Sequence, residues 1–324
     1  MSKTLLLISD QPEDISFVAE ICQVIQASLQ LVPDPKRAVE ILSTETPIAI
    51  FINVDNLKSL HEFEMEAQQR FGLFSEQVQA YRFHFISSRP LSENRDVTQS
   101  PFFGSYFERP VDEIEEKAQF YGRFVDASEK KTTHELSNFL SVRGKVQSLT
   151  LTHSDQKQEA AEAVRQYLIQ AKVPARISNI IANSVDELLM NAIFDAPVDA
   201  FGRTLYSSTA RSDSRELKGR EEVSMKIGFD GFYVGVSITD LFGMLDRARL
   251  LNHVSMNYRD KEYMVKQGNA GAGLGLATVF KSGGSLIYHC EHAQKTEATL
   301  LYRAFPNYRD FKNQFHFFSA KFYV

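Results

Sequence analysis

Apolar runs at 5–8, 48–52, 83–86 and 105–107, with a weaker one at 28–31, alternate with longer amphipathic stretches from residue 3 to about 127. Short apolar runs bounded by turn residues predict buried strands, and the stretches between them predict helices. Strands separated by helices, joined by right-handed crossovers, give a parallel sheet covered on both faces. The first 127 residues are therefore expected to form a five-stranded α/β sandwich.

A polar, helix-compatible connector without strong periodicity follows at 128–145, and then the pattern changes. Strands are predicted at 148–152, 223–229, 232–239, 285–292 and 298–303, and helices at 156–171, 177–194 and 274–281. The polar stretch 196–220 reads as a loop, with partner contact and a tolerated insertion as its two readings. This second domain, 146–304, is expected to be an α/β sandwich with a mixed sheet and helices on one face. The tail 305–324 carries Phe305, Tyr308, Phe311, Phe315, Phe317, Phe318, Phe322 and Tyr323. That much aromatic surface is expected to pack back on the second domain, with a partner-docking element as the alternative.

Composition narrows the function classes. At 324 residues, 43% hydrophobic and 24% charged, the chain has an ordinary globular make-up and room for two cores. A formal charge of −5 with no long basic block gives no footprint for a nucleic-acid backbone. The run 5–8 is too short for a secretory signal, and no stretch approaches the ~20 apolar residues of a membrane span. The expectation is a cytoplasmic protein. Cys22 and Cys290, far apart and alone, form no disulfide or metal framework and are expected to be buried thiols.

The candidate chemistry is concentrated in the second domain. On the helix predicted at 177–194, Asn183, Glu187, Asn191 and Asp195 recur every fourth position and form one polar stripe, opposite Ile181, Val185, Leu188, Leu189 and Ala192. Asp240 ends an apolar strand and is followed by Leu241, Phe242 and Gly243, so a carboxylate able to accept from an exocyclic amine sits beside a residue that permits close backbone approach. Gly268, Gly271, Gly273, Leu274 and Gly275 then run into the predicted helix at 274–281, an arrangement that turns amide groups and a helix amino terminus toward phosphate oxygens.

The ordered set of a helix with Glu and Asn, a strand ending in Asp, a long loop and Gly-x-Gly-Leu-Gly-Leu resembles the ATP-binding domain shared by DNA gyrase, histidine kinases and anti-sigma-factor serine kinases. The resemblance covers roughly 147–304 and implies the Bergerat-type fold. It also implies ATP and Mg2+ as cofactors. By it, Asn191 would hold the magnesium that bridges the phosphates, and Asp240 with Gly243 would form the adenine pocket. Gly271, Gly273, Leu274 and Gly275 would shape the phosphate loop. The stretch 244–270, with Arg247, Arg249, His253, Arg259, Lys261 and Lys266, would be a mobile lid. Glu187 matches the position of the general base in members that have one. The family's Asp-x-Gly-x-Gly is replaced here by Asp240-Leu241-Phe242-Gly243-Met244.

Within that superfamily the direct run of strand, helix and helix with Glu187 and Asn191 is most similar to the anti-sigma-factor serine kinases. That similarity implies a protein partner phosphorylated on Ser or Thr. The alternatives are a non-catalytic nucleotide-dependent switch and an atypical histidine kinase, for which His134 in Thr133-His134-Glu135-Leu136 is the candidate phosphoacceptor. Only about a dozen residues separate His134 from the first strand, too few for two long hairpin helices. Whether the chain is a homodimer is left open.

The first domain places Asp10, Asn53, Ser87 and Arg109 at successive strand ends, where α/β sheets carry their sites. Read as a flavodoxin-like (βα)5 sandwich, it resembles a response-regulator receiver across 3–126, with Arg109-Pro110 where receivers have Lys-Pro. Its phosphoacceptor position is Asn53, and an amide cannot become an acyl phosphate. Asp55 is the nearby carboxylate that would substitute if the register were shifted by two. The resemblance thus implies a degenerate receiver that works by binding or dimerising.

Overall fold

The computed structural model describes residues 3–72, 79–129, 136–141, 145–206, 209–211, 213–257 and 282–323. It is an α/β protein whose chain divides into two compact units, one of residues 1–139 with 317–320 and one of 140–316 with 321–324. Among the described residues no helix is long and apolar enough to cross a membrane.

In the first unit β1 (Thr4–Ile8), β2 (Ser28–Leu31), β3 (Ala49–Asn53), β4 (Phe83–Ser87) and β5 (Ser105–Glu108) lie in the order β2-β1-β3-β4-β5, all parallel. This is the flavodoxin-like order, in which the carboxyl ends of β1 and β3 flank a switch point. Helices α1 (Pro12–Ile25), α2 (Pro35–Leu42), α3 (Leu57–Phe71) and α4 (Ile114–Glu129) make the crossovers and the covering layers. Proline opens α1 and α2, where its missing N–H costs nothing. Asp34 and Asn56 cap α2 and α3 by accepting from the backbone N–H two residues on.

Two features depart from the expected sandwich. Between β4 and β5 the chain makes only a 3-10 turn, Arg95–Gln99. Pro90 and Pro101 bound that segment, and each removes a backbone donor that a longer helix would need. The second departure is in the tail. Its strand β11 (Phe317–Tyr323) pairs antiparallel with β5 through Phe317, Phe318 and Ser319, so 317–320 belong to the first unit rather than to the second. The cause is apolar: Phe317 lies 4.6 Å from Phe124 and 4.9 Å from Tyr121, ring centre to ring centre, inside the aromatic cluster of Phe17, Phe51 and Phe107.

In the second unit β6 (Lys145–Leu151), β7 (Val223–Phe229), β8 (Tyr233–Asp240), β9 (Ser285–Glu291) and β10 (Lys295–Arg303) lie in the order β6-β7-β8-β10-β9. Their pairings are all antiparallel. Tight connections impose two of them: Gly231 at φ 98° turns β7 into β8, and Ala293 at φ 57° turns β9 into β10. Central β8 and β10 are buried almost throughout, whereas β6 is exposed over most of its length. Helix α5 (Gln156–Gln170) precedes α6 (Ala175–Met190). The buried face of α6 is Ile177, Ile181, Val185, Leu188 and Leu189, and Tyr302 Oη of β10 donates to Ser184 Oγ of that helix at 3.1 Å. Helices α7 (Arg247–Asn257) and α8 (Tyr308–Lys312) follow β8 and β10.

Candidate functional site

Beyond Met190 helix α6 does not simply end. Residues Asn191–Asp195 form a π-helical turn, with the Ala196 N–H donating to the Asn191 carbonyl at 2.9 Å. Single π turns inside α-helices are rare and recur at functional sites. Here the turn carries two members of the polar stripe, Asn191 and Asp195, to the wall of one cavity of about 150 Å3. Asp240, from the end of β8, lines the same cavity. A volume of this size in an apolar interior takes one benzene-sized ring.

The cavity is built in layers. Leu188, Ile238, Leu250, Tyr288 and Ala298 give it apolar walls, and all five are buried. Asp240 is 7% exposed. Its Oδ1 accepts from the N–H groups of Phe242 at 2.9 Å and Gly243 at 3.3 Å, and Thr296 is its cross-strand neighbour. Burial nevertheless outweighs these bonds and pushes the carboxyl up to about 6. An acid buried in this way still has acceptor capacity for a ligand donor, and it titrates close to neutrality.

The opposite side is cationic. Asp246 caps α7 by accepting from the Arg249 N–H at 2.6 Å. One turn apart on that helix, Arg249 and His253 face the cavity with Leu250, while Leu251 and Val254 are buried away from it. Burial, and after it the neighbouring Arg249, lower the His253 pKa and so favour the neutral ring. Asp195 is raised by burial against the pull of Arg211 and Arg249; its Oδ2 lies 3.7 Å from Arg211, an ion pair without a hydrogen bond. Among the described residues no three His, Cys, Asp or Glu side chains converge into a metal-binding group. A magnesium ion here would therefore depend on Asn191, Asp195 and ligand oxygens.

The sequence-predicted residues fare unequally. Asn191 and Asp240 share the cavity, but Glu187 is not among its described lining residues; burial and Asp186 raise its carboxyl. Gly243 does not face the cavity. At φ 62° it presses on the β9–β10 turn, where a Cβ would lie 2.1 Å from the Glu291 carbonyl oxygen, and its own carbonyl accepts from the Ala293 N–H at 3.1 Å. This displaced glycine locks the loop after Asp240 onto a hairpin. Gly271, Gly273, Leu274 and Gly275, together with Arg259, Lys261, Lys266 and His134, lie outside the described residues. The described start of the expected lid includes helix α7. Thr296 and Tyr288 are cavity residues that the sequence reading missed, because nothing in a strand's alternation says which side chain will face a carboxylate on another strand.

In the first unit the strand ends bring Asn53, Ser87 and Arg109 together but leave out Asp10. Asp10 is exposed and accepts from Gln11 at 2.6 Å. The carboxylate that joins them is Asp14, in the first turn of α1, fully buried. Asp14 accepts from Arg109 Nε at 2.6 Å, Ser9 Oγ at 2.6 Å and Asn53 Nδ2 at 2.7 Å. Arg109 Nη2 also reaches Asp55 at 3.0 Å. Asp55 in turn accepts from Ser87 Oγ at 2.7 Å and from the Ser88 N–H at 2.6 Å. Burial raises the Asp55 carboxyl, but these bonds and Arg109 together hold it below its ordinary value. A guanidinium thus fills the space between the two acids.

No family model matches the chain, and no curated protein matches it. Among solved structures, it is similar to a chain in the crystal structure of the SiaB-SiaC complex from Pseudomonas aeruginosa, at 18% identity and TM-score 0.32, over 47% of this chain and 88% of that one. A likeness at that score fixes neither fold nor activity.

Proposed function

We propose that the second unit binds ATP with Mg2+ in the cavity between α6, β8 and α7, and that it acts on a protein partner in a signalling role. The observation that carries this reading is that Asn191 and Asp240, singled out from separate motifs, line one apolar cavity with the Asp240 carboxyl buried in its wall. Adenine would fill the apolar part with its exocyclic amine donating to Asp240, and the phosphates would run toward Asn191, Arg249 and His253. When bound, magnesium neutralises phosphate charge and fixes the geometry of transfer. In the manner of the anti-sigma-factor kinases that the chain resembles, the γ-phosphoryl would pass to a partner Ser or Thr hydroxyl, with Glu187 as base. The first unit would control the second without being phosphorylated, since Asn53 cannot form an acyl phosphate and Asp55 is held by Ser87, Ser88 and Arg109.

A second reading, a nucleotide-dependent switch without turnover, is favoured by one observation: Glu187 is not among the described residues of the cavity wall. Calorimetric titration of ATP with Mg2+ into wild type, Asn191→Ala and Asp240→Ala tests the binding site. Binding in the wild type that weakens at least about tenfold in both folded variants supports it; no binding to folded wild type refutes it. Phosphate release above the Asn191→Ala background then separates kinase from switch.

A further inference from the structure

The π-helical turn at Asn191–Asp195 stands at the end of a helix that Pro197 cannot continue. In an α-helix the Ile193 carbonyl would accept from the N–H of residue 197, and proline has none. Ile193 is fully buried, so its carbonyl needs another donor. Arg215 supplies it: Nη2 donates to the Ile193 oxygen at 2.6 Å.

The arginine is itself fixed on several sides. Its guanidinium stacks 3.6 Å from the centre of the Tyr206 ring and lies 5.8 Å from that of Phe194. Its Nη1 pairs with Glu221, whose other oxygen accepts from Tyr206 Oη at 2.7 Å. The backbone of Arg215 is tied to Ser154, accepting from its N–H at 2.9 Å and donating to its Oγ at 3.0 Å. The described part of 196–220 is therefore neither a loose insertion nor only a surface loop. Its far end carries a planar, charged donor back to the turn that bears Asn191 and Asp195.

We propose that Arg215 is a positioning residue for the magnesium end of the cavity, holding the π turn in the register that aims Asn191 and Asp195 at the same ligand. Relaxation of that turn would move both side chains, while Asp240, Ile238 and Ala298, set by the β8–β10 pairing, would stay in place. The proposal rests on the nucleotide reading above for its ligand. Its structural core, that Arg215 maintains the bond from the Ala196 N–H to the Asn191 carbonyl, does not.

The test compares wild type, Arg215→Gln and Arg215→Lys by ATP titration in Mg2+ and in EDTA, with amide exchange at Ala196 and thermal melting measured alongside. Arg215→Gln is expected to lose about tenfold of affinity in Mg2+, the loss expected of one charge-assisted hydrogen bond, and less than about twofold in EDTA. Exchange at Ala196 should rise about tenfold or more, and Arg215→Lys should recover part of both effects. Equal losses in Mg2+ and EDTA would overturn the proposal, because they describe general loosening. So would unchanged affinity and unchanged Ala196 exchange in a folded Arg215→Gln protein. If wild type binds no nucleotide, the nucleotide reading fails by itself, and Ala196 exchange still decides the role of Arg215.

Discussion

The raised carboxyl of Asp240 makes stability depend on pH in a calculable way. Its folded pKa, about 6, lies above its ordinary 3.8. The folded state therefore holds the proton more tightly than the unfolded chain, and the stabilisation is complete below about pH 3.8 and lost as pH rises through 6. At pH 7.5 both states are ionised and Asp240 contributes almost nothing by this linkage. At pH 5 the folded carboxyl is mostly protonated and the unfolded one mostly ionised, which stabilises the fold by about 1.4 kcal/mol relative to pH 7.5. Other groups whose pKa differs between the folded and unfolded states, His253 among them, add their own pH dependence. The quantity to measure is thus the difference between wild type and Asp240→Asn, in which those contributions cancel. Asparagine keeps the acceptor for the Phe242 and Gly243 N–H groups but puts an amide NH2 in place of the second carboxyl oxygen, so an overall offset between the proteins is expected and carries no information. Urea denaturation at pH 5, 6 and 7.5 should show wild type gaining about 1.4 kcal/mol on the variant as pH falls. A difference constant within about 0.3 kcal/mol, the usual scatter of such comparisons, or one of opposite sign, would refute the claim that burial dominates this site.

Two further outcomes follow from geometry elsewhere. Gly243→Ala forces a Cβ to within 2.7 Å of the Gln294 and Lys295 nitrogens as well as against the Glu291 oxygen, in a left-handed backbone. The expected loss is about 2–5 kcal/mol in chemical denaturation, and a change under about 0.5 kcal/mol would show that the hairpin contact is not rigid. Arg109→Met strands the buried Asp14 carboxylate, with an expected cost of about 3–5 kcal/mol measured the same way. A loss below about 1 kcal/mol would show that Ser9 and Asn53 suffice to hold that charge.

Much of the order of elements was legible in the chain, because period-two and period-3.6 alternation is imposed locally: β2 and β7 occupy the residues predicted for them, and the other described strands fall within a few residues of theirs, except β11, for which no strand was predicted. Asn191 and Asp240 could be singled out in the same way, since a polar stripe on an amphipathic helix and a carboxylate at the end of an apolar strand are features of a single element; that they line one cavity could not. The tertiary structure alone decided what met these groups. That Arg215 would answer the Ile193 carbonyl, that Thr296 would face Asp240, and that Asp14 rather than Asp10 would join Arg109 depend on contacts between residues distant in sequence, to which periodicity is blind. The same holds for the tail, whose aromatic residues promised burial, but whose strand found its partner in β5 because an unpaired sheet edge and an aromatic cluster lay there to be covered. Local chemistry sets which groups need partners; only the closed fold, by satisfying buried polar groups and apolar surface together, chooses them.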